Sequence, residues 1–234
     1  MSPQVVVVSD PRALARRAAE WIVERTRAAA AARGRCSVAL AGGGTPRATY
    51  EVLATSALAA AVPWGAIDWF FGDERAVAFD HPDSNYRLAA ESLFAGRPEA
   101  LARACRMPAD AADADMAARA YGQLLPDPLD VVILGMGEDG HTASLFPSSP
   151  ALDERHERVV AVTGEKPPFR RMTITPPVIE SAREVLVLVA GTAKAAMLAR
   201  ALEGPLDVRS LPVQLARDRD FVVDAAAASA LARP

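Results

Sequence analysis

The chain reads as an α/β protein, a doubly wound, mostly parallel sheet with helices on both faces. Two observations predict it. Strand-length apolar runs recur along the sequence, and helical patterns separate most of them, which is the alternation that builds βαβ units. Some of these runs, such as Val131–Leu134, are apolar at every position, as strands covered on both faces must be. The length agrees: 234 residues with 51% hydrophobic side chains suffice for one large domain, 1–234, with a full core.

Taken in order, Val5–Val8 reads as a short strand. Asp10 then caps a helix with Pro11 at its first position, Leu14, Ala18, Trp21 and Ile22 keep helical spacing, and Gly34 supplies the left-handed stop. Ser37–Ala41 is a second strand, closed by Gly42-Gly43-Gly44-Thr45-Pro46 and a helix containing Tyr50 and Leu53. Ile67–Phe71 is a third, closed by Gly72-Asp73-Glu74-Arg75. Pro108–Asp115 fits either a loop or a capped helix start. Further strands are expected at Val131–Leu134, Val159–Val162, Met172–Thr175, Val185–Ala190 and Phe221–Val223. Pro147–Pro150 and Lys166–Phe169 are turn-rich. The alanine tracts Ala28–Ala32 and Ala225–Ala230 read as exposed helix, because alanine loses least on entering one.

Composition excludes several function classes. A net charge of −3 with interspersed signs gives no basic footprint for nucleic acid. No apolar stretch approaches a membrane span, and the N-terminus lacks the basic region and long apolar run of a signal peptide. Cys36 and Cys105 belong to no CxxC or Cys/His cluster, so a reducing cytoplasm and no structural zinc are expected. Of the 26 basic residues only Lys166 and Lys194 are lysine. A lysine kept in so Arg-rich a chain is a candidate for work that needs a compact ammonium.

The chemistry is expected at the strand ends. In Gly135-Met-Gly-Glu-Asp-Gly-His141 a buried-strand signal runs into glycines, two acids and an imidazole, and open α/β sheets bind ligands outside the carboxyl ends of their strands. The bland alternative is that Asp139 caps a helix and His141 sits idle in its first turn. Gly42–Pro46 lies between a strand and a helix, where exposed N–H groups and the helix dipole favour an anion. It matches neither a Walker A loop nor GxGxxG, so a phosphate monoester suits it better than ATP or a dinucleotide. Arg75 brings a guanidinium to the same rim, and Asp80–Tyr86 reads as turn chemistry for a lid in which His81 is a loop residue. Lys194, in the first turn of a helix, gains nothing from the dipole unless an anion is bound nearby. These features describe two clefts, one phosphate-like and one around His141.

Together the segments resemble the 6-phosphogluconolactonase family, Rossmann-like α/β proteins of the sugar-phosphate isomerase/deaminase type. The resemblance rests on Ala41-Gly-Gly-Gly-Thr-Pro46, Phe71-Gly-Asp-Glu-Arg75, Asp80-His-Pro-Asp-Ser-Asn-Tyr86, Gly135 through Pro147, Arg171-Met-Thr and Gly191-Thr-Ala-Lys194, six pieces in family order. It implies hydrolysis of a sugar phosphate lactone in the pentose phosphate pathway, a reaction expected to need no metal and no organic cofactor. Gly43, Gly44, Thr45, Arg171 and Lys194 would hold the phosphate, and His141 would be the general base with Arg75 nearby. Asp73, Glu138 or Asp139 would orient the imidazole, and Arg75 or an N–H of Gly135–Gly137 would meet the oxyanion. The expected partner is the small-molecule substrate alone, without nucleic acid or membrane, and the expected assembly is a monomer or weak homodimer.

Two rivals share the fold. Sugar phosphate deaminases typically carry an acid five residues after the histidine, a position held here by Phe146, which cannot move a proton. Sugar-phosphate sensors need a DNA-reading module, for which the residues before the first strand are too few.

Overall fold

The structure is a computed structural model and describes residues 4–232 except 56 and 166. The start of the N-terminal reading, residues 1–3, and Lys166 in the expected turn lie outside the described residues.

Strands and helices follow in the order β1 (Val5–Val8), α1 (Pro11–Arg33), β2 (Cys36–Leu40), α2 (Gly44–Thr55), β3 (Ile67–Phe71), β4 (Asp73–Arg75), α3 (Asn85–Ser92), α4 (Pro98–Leu101), α5 (Ala114–Leu124), β5 (Val131–Gly135), β6 (Val159–Thr163), β7 (Arg170–Ile174), α6 (Pro176–Ser181), β8 (Glu184–Val189), α7 (Ala195–Glu203) and β9 (Asp220–Asp224). The predicted start holds in detail. The Asp10 carboxylate accepts from the N–H groups of Arg12 and Ala13, and the Gly34 N–H closes α1 on the carbonyl of Ala30. Pro108–Asp115 resolves as a loop ending in a cap, since Asp113 accepts from the N–H of Met116.

Six strands form the parallel sheet in the order β1-β9-β8-β5-β2-β3. All of β2 and the first four residues of β5 are buried, so side chains on both faces of the sheet are covered. From β2 the chain moves outward to β3, whereas from β5 its next strand in this sheet is β8, on the other side. The β2–β5 junction is therefore a topological switch point, where the loops leaving adjacent strands part and a crevice opens at their carboxyl ends. Those loops are Gly42–Thr45 and the segment ending in His141.

Two expected strands do not join this sheet. Val159–Val162 and Met172–Thr175 fall in β6 and β7, which with β4 make a separate antiparallel sheet, β4-β7-β6. The reason is the connection: the link from Thr163 to Arg170 is short, its described residues are non-helical, and a parallel neighbour would need a crossover of a dozen residues or more. The Ala225–Ala230 tract is also not exposed helix. It forms a single 3-10 turn, Ala227–Ala230, with Ala227 and Ala228 buried.

Candidate active site

At the end of β2, α2 begins at Gly44, and the N–H of Arg47 donates to the carbonyl of Gly43 as its first turn forms. The amides of the glycine loop thus open the N-terminus of a three-turn helix. The loop is anchored from below. The Tyr50 hydroxyl, fully buried, accepts from the N–H of Ala41 at 3.0 Å and donates to its carbonyl at 2.9 Å. Burial pushes the Tyr50 phenol far above its usual range, so it remains a donor.

At the end of β5 the chain does not enter a helix, so the bland reading of Asp139 as a helix cap falls. Asp139 Oδ1 lies 2.5 Å from His141 Nδ1 and also accepts from the His141 N–H at 3.1 Å. Burial pushes the Asp139 carboxyl up, but the hydrogen bonds and charge of His141 outweigh it and the net displacement is downward. An ionised carboxylate only accepts, so the contact favours the tautomer in which Nδ1 carries the proton and Nε2 faces away from Asp139. Glu138 and Asp73 make no such contact. Gly137 is required by close approach: a Cβ there would stand 2.1 Å from His141 Nδ1 and 2.5 Å from Asp139 Oδ1. The Gly137 N–H, one candidate for the oxyanion, already donates to the carbonyl of His141.

The antiparallel sheet supplies the opposite wall. Its register pairs Asp73 with Thr173 and Arg75 with Arg171, so these four side chains share one face while Glu74 and Met172 point to the other. The Asp73 carboxylate accepts from Ser144 Oγ at 2.6 Å and from Asn85 Nδ2 at 3.0 Å, and the Ser144 N–H donates to Thr173 Oγ1. Asp73 therefore ties the His141 loop to the sheet rather than touching the imidazole. Below it Glu74, 2% exposed, accepts from the N–H groups of Arg75, Asn85 and Tyr86. Burial raises the Glu74 carboxyl above its ordinary range against those bonds. Arg75 Nη1 donates to the carbonyl of Asp83 at 2.6 Å, while its Nε is buried with no acceptor among the described residues. Arg171 donates through Nε to the carbonyl of Pro168 and lies over the Phe146 ring.

Lys194 closes a 3-10 turn, Thr192–Lys194, and stands immediately before α7. It makes no ion pair among the described residues. Burial depresses its ammonium, with Glu138 and Asp224 opposing. These walls enclose one cleft of about 230 Å³ lined by Gly43, Gly44, Thr45, Asp73, Arg75, His141, Arg171 and Lys194, together with Gly42, Gly135 and Gly137. The two clefts expected from sequence are thus a single one, because β2 and β5 are neighbours. Of the named candidates Asp139 and Glu138 stand outside the lining, and of the two only Asp139 is in contact with His141. His81 lies outside the cleft, with its Nδ1 accepting from the N–H of Asp83. A wider groove of about 500 Å³ over β6 shares Arg171 but contains neither the glycine loop nor the imidazole.

Sequence reasoning missed the supporting residues Tyr50, Asn85 and Ser144. Asn85 stood within a motif, but nothing local signalled its bond to Asp73. Among the described residues no group of three or more His, Cys, Asp or Glu is placed to hold a metal. No helix among them is long and apolar enough to cross a membrane.

A family model described as glucosamine-6-phosphate isomerases/6-phosphogluconolactonase matches residues 9–224. The 6-phosphogluconolactonase of Synechocystis sp. is 39% identical over 224 residues, covering 92% of this chain and 91% of that one. That of Streptomyces coelicolor is 36% identical and covers 99% and 96%. The solved 6-phosphogluconolactonase from Trypanosoma cruzi aligns with a TM-score of 0.86 at 31% identity, covering 99% of this chain and 98% of that one. A monomeric glucosamine-6-phosphate deaminase aligns with a TM-score of 0.84 at 23% identity, covering 97% and 99%, a likeness of fold alone.

Proposed function

The chain belongs to the 6-phosphogluconolactonase family, and on that premise we propose that it hydrolyses 6-phospho-D-glucono-1,5-lactone to 6-phospho-D-gluconate, the lactone-opening step of the oxidative pentose phosphate pathway, with His141 as general base. The observation that carries this reading is the Asp139–His141 contact of 2.5 Å beside a cleft that His141 shares with the cations Arg75, Arg171 and Lys194. An imidazole oriented by a carboxylate can take a proton through Nε2.

In the proposed reaction, water gives a proton to Nε2 as its oxygen attacks the lactone carbonyl carbon. The tetrahedral intermediate places negative charge on the former carbonyl oxygen, which Arg75 is positioned to meet. Collapse of the intermediate breaks the bond to the ring oxygen, and the imidazolium returns its proton there. Gly43, Gly44 and Thr45 at the start of α2, with Arg171 and Lys194, hold the phosphate. Asp139 orients the imidazole, and Asp73 holds the His141 loop through Ser144. The buried side chains form one cluster running from Leu14 to Ala228, which supports reading 1–234 as one domain.

Phe146 weighs against a deaminase. Its ring centroid lies 4.9 Å from that of His141, so the fifth position after the histidine presents a hydrocarbon to the site. The test is the initial hydrolysis rate of freshly generated lactone, corrected for spontaneous opening, with wild type and His141→Ala. Fast turnover lost in a folded mutant supports the reading. A wild-type rate at background, with ammonia released from glucosamine 6-phosphate, would replace it.

A further inference from the structure

Asp224 is the last residue of β9 and is 1% exposed. A carboxylate so deeply buried is costly unless its oxygens are hydrogen-bonded. Its Oδ1 accepts from the N–H of Gly191 at 3.0 Å and from the N–H of Ala227 at 2.7 Å, and Oδ2 approaches the same Gly191 N–H at 3.2 Å. Gly191 joins β8 to the turn bearing Lys194 and has φ of +94°, a conformation that side-chain-bearing residues rarely adopt. The N–H of Lys194 in turn donates to the carbonyl of Gly191 at 3.1 Å. A short chain of bonds therefore runs from the Asp224 carboxylate through Gly191 to the residue that carries the ammonium into the cleft.

We propose that Asp224 is a positioning residue of the anion anchor, fixing through Gly191 the turn that aims Lys194 at the substrate phosphate. The proposal rests on the phosphate role given to Lys194 above. It explains why an acid is buried at the end of a strand that supplies nothing to the cleft lining. A backbone turn held at its first residue keeps the lysine stem from sampling positions outside the cleft, which is the entropic part of binding a small anion.

The test compares Asp224→Ala, Asp224→Asn and Gly191→Ala. Oδ1 takes the shorter bond from Gly191 and the bond from Ala227, while Oδ2 makes only the longer approach to Gly191, so an Asn with its amide oxygen at the Oδ1 position can keep the two shorter bonds. Gly191→Ala leaves Asp224 in place and adds a Cβ with no neighbouring atom within 4 Å, so it challenges only the turn's backbone. Asp224→Ala and Gly191→Ala are expected to raise the KM for lactone and the Kd for inorganic phosphate by about tenfold, with kcat within about twofold, and Asp224→Asn to restore both constants. If Asp224→Ala fails to fold, Gly191→Ala carries the same expectation. Phosphate binding followed by calorimetry needs no turnover. Wild type that binds phosphate but does not hydrolyse lactone would sink the lactonase reading and leave the anchor standing. Variants that bind phosphate as wild type does, or that lose kcat at unchanged KM, would overturn the role of Asp224. Wild type that hydrolyses lactone but does not bind phosphate would overturn the anchor and the role of Asp224 together.

Discussion

Arg75 and Arg171 stand directly opposite one another across β4 and β7, and both side chains line the cleft. Like charges facing each other on a sheet are unfavourable; burial depresses the Arg171 guanidinium most, Asp73 opposes it, and Arg75 adds a smaller depression that Asp83 opposes in turn. An anion placed between them removes that repulsion. Inorganic phosphate is therefore expected to raise the thermal midpoint of wild type beyond what chloride does at equal ionic strength. A saturating ligand at about 100 times its Kd adds about 2.7 kcal/mol. Arg171→Met should lose most of that increment while its ligand-free midpoint stays near wild type. An equal phosphate response in both proteins would remove Arg171 from the anion site.

The Asp139–His141 contact gives a prediction about tautomers. Asp139→Asn keeps the size of the side chain but ends its role as an obligate acceptor, so the imidazole no longer has to carry its proton on Nδ1. Turnover is expected to fall by roughly 10²–10⁴-fold, comparable with loss of the base itself, with little change in KM. The pH sense is fixed by the downward displacement of Asp139, in which the hydrogen bonds and charge of His141 overcome burial. Its stabilising contribution is present above the unfolded value of 3.8 and is lost as pH falls through the lower folded value. Activity in the mildly acidic range should therefore not be limited by Asp139. A rate for Asp139→Asn within a few-fold of wild type would show that the carboxylate does not set the tautomer.

The glycine loop and the His141 segment were legible because their signals are local: a strand-like run, then residues that only turns accommodate. The same holds for Asp10 and Gly34, which set the ends of α1 where they were expected. What could not be read was long-range. That two clefts are one depends on β2 lying beside β5. That Arg75 faces Arg171 depends on β7 returning antiparallel through a hairpin rather than a helix. Ser144 donates to Asp73, and no pattern along the chain announces a bond between residues so far apart. Asp139 could be chosen over Glu138 and Asp73 only once the carboxylates had positions.

Lys194 predicts an alkaline limit on anion binding. Its ammonium is depressed by burial below the ordinary value of 10.5, with Glu138 and Asp224 opposing. As pH rises, the charge that attracts phosphate is lost earlier than for an exposed lysine. The Kd of inorganic phosphate should climb at a pH below 10.5, and Lys194→Met should show weak binding without that climb. Inorganic phosphate loses its second proton near neutral pH, well before this range, so that ionisation does not produce the climb. A wild-type Kd that stays flat to pH 10.5 would remove Lys194 from the anion site.

Phe146 bears on the proposed chemistry through what it touches. Its ring is 4.9 Å from the His141 ring, and the Arg171 guanidinium stands 5.5 Å from its centroid. With 7% exposure, the position offers a carboxylate little water and one nearby cation. In Phe146→Glu the new acid should therefore pair with Arg171. It would then compete with the phosphate for that guanidinium, so KM for the lactone is expected to rise by about tenfold or more. Ammonia release from glucosamine 6-phosphate is not expected, since one acid does not rebuild a ring-opening site around a lactonase wall. Phe146→Leu should keep KM near wild type and lose about 1 kcal/mol of stability to the smaller side chain. Side-by-side lactone and ammonia assays on the two variants decide the matter. A Phe146→Glu protein that keeps its lactone KM, or that deaminates the amino sugar, would mean that this ring neither guards Arg171 nor sets the reaction.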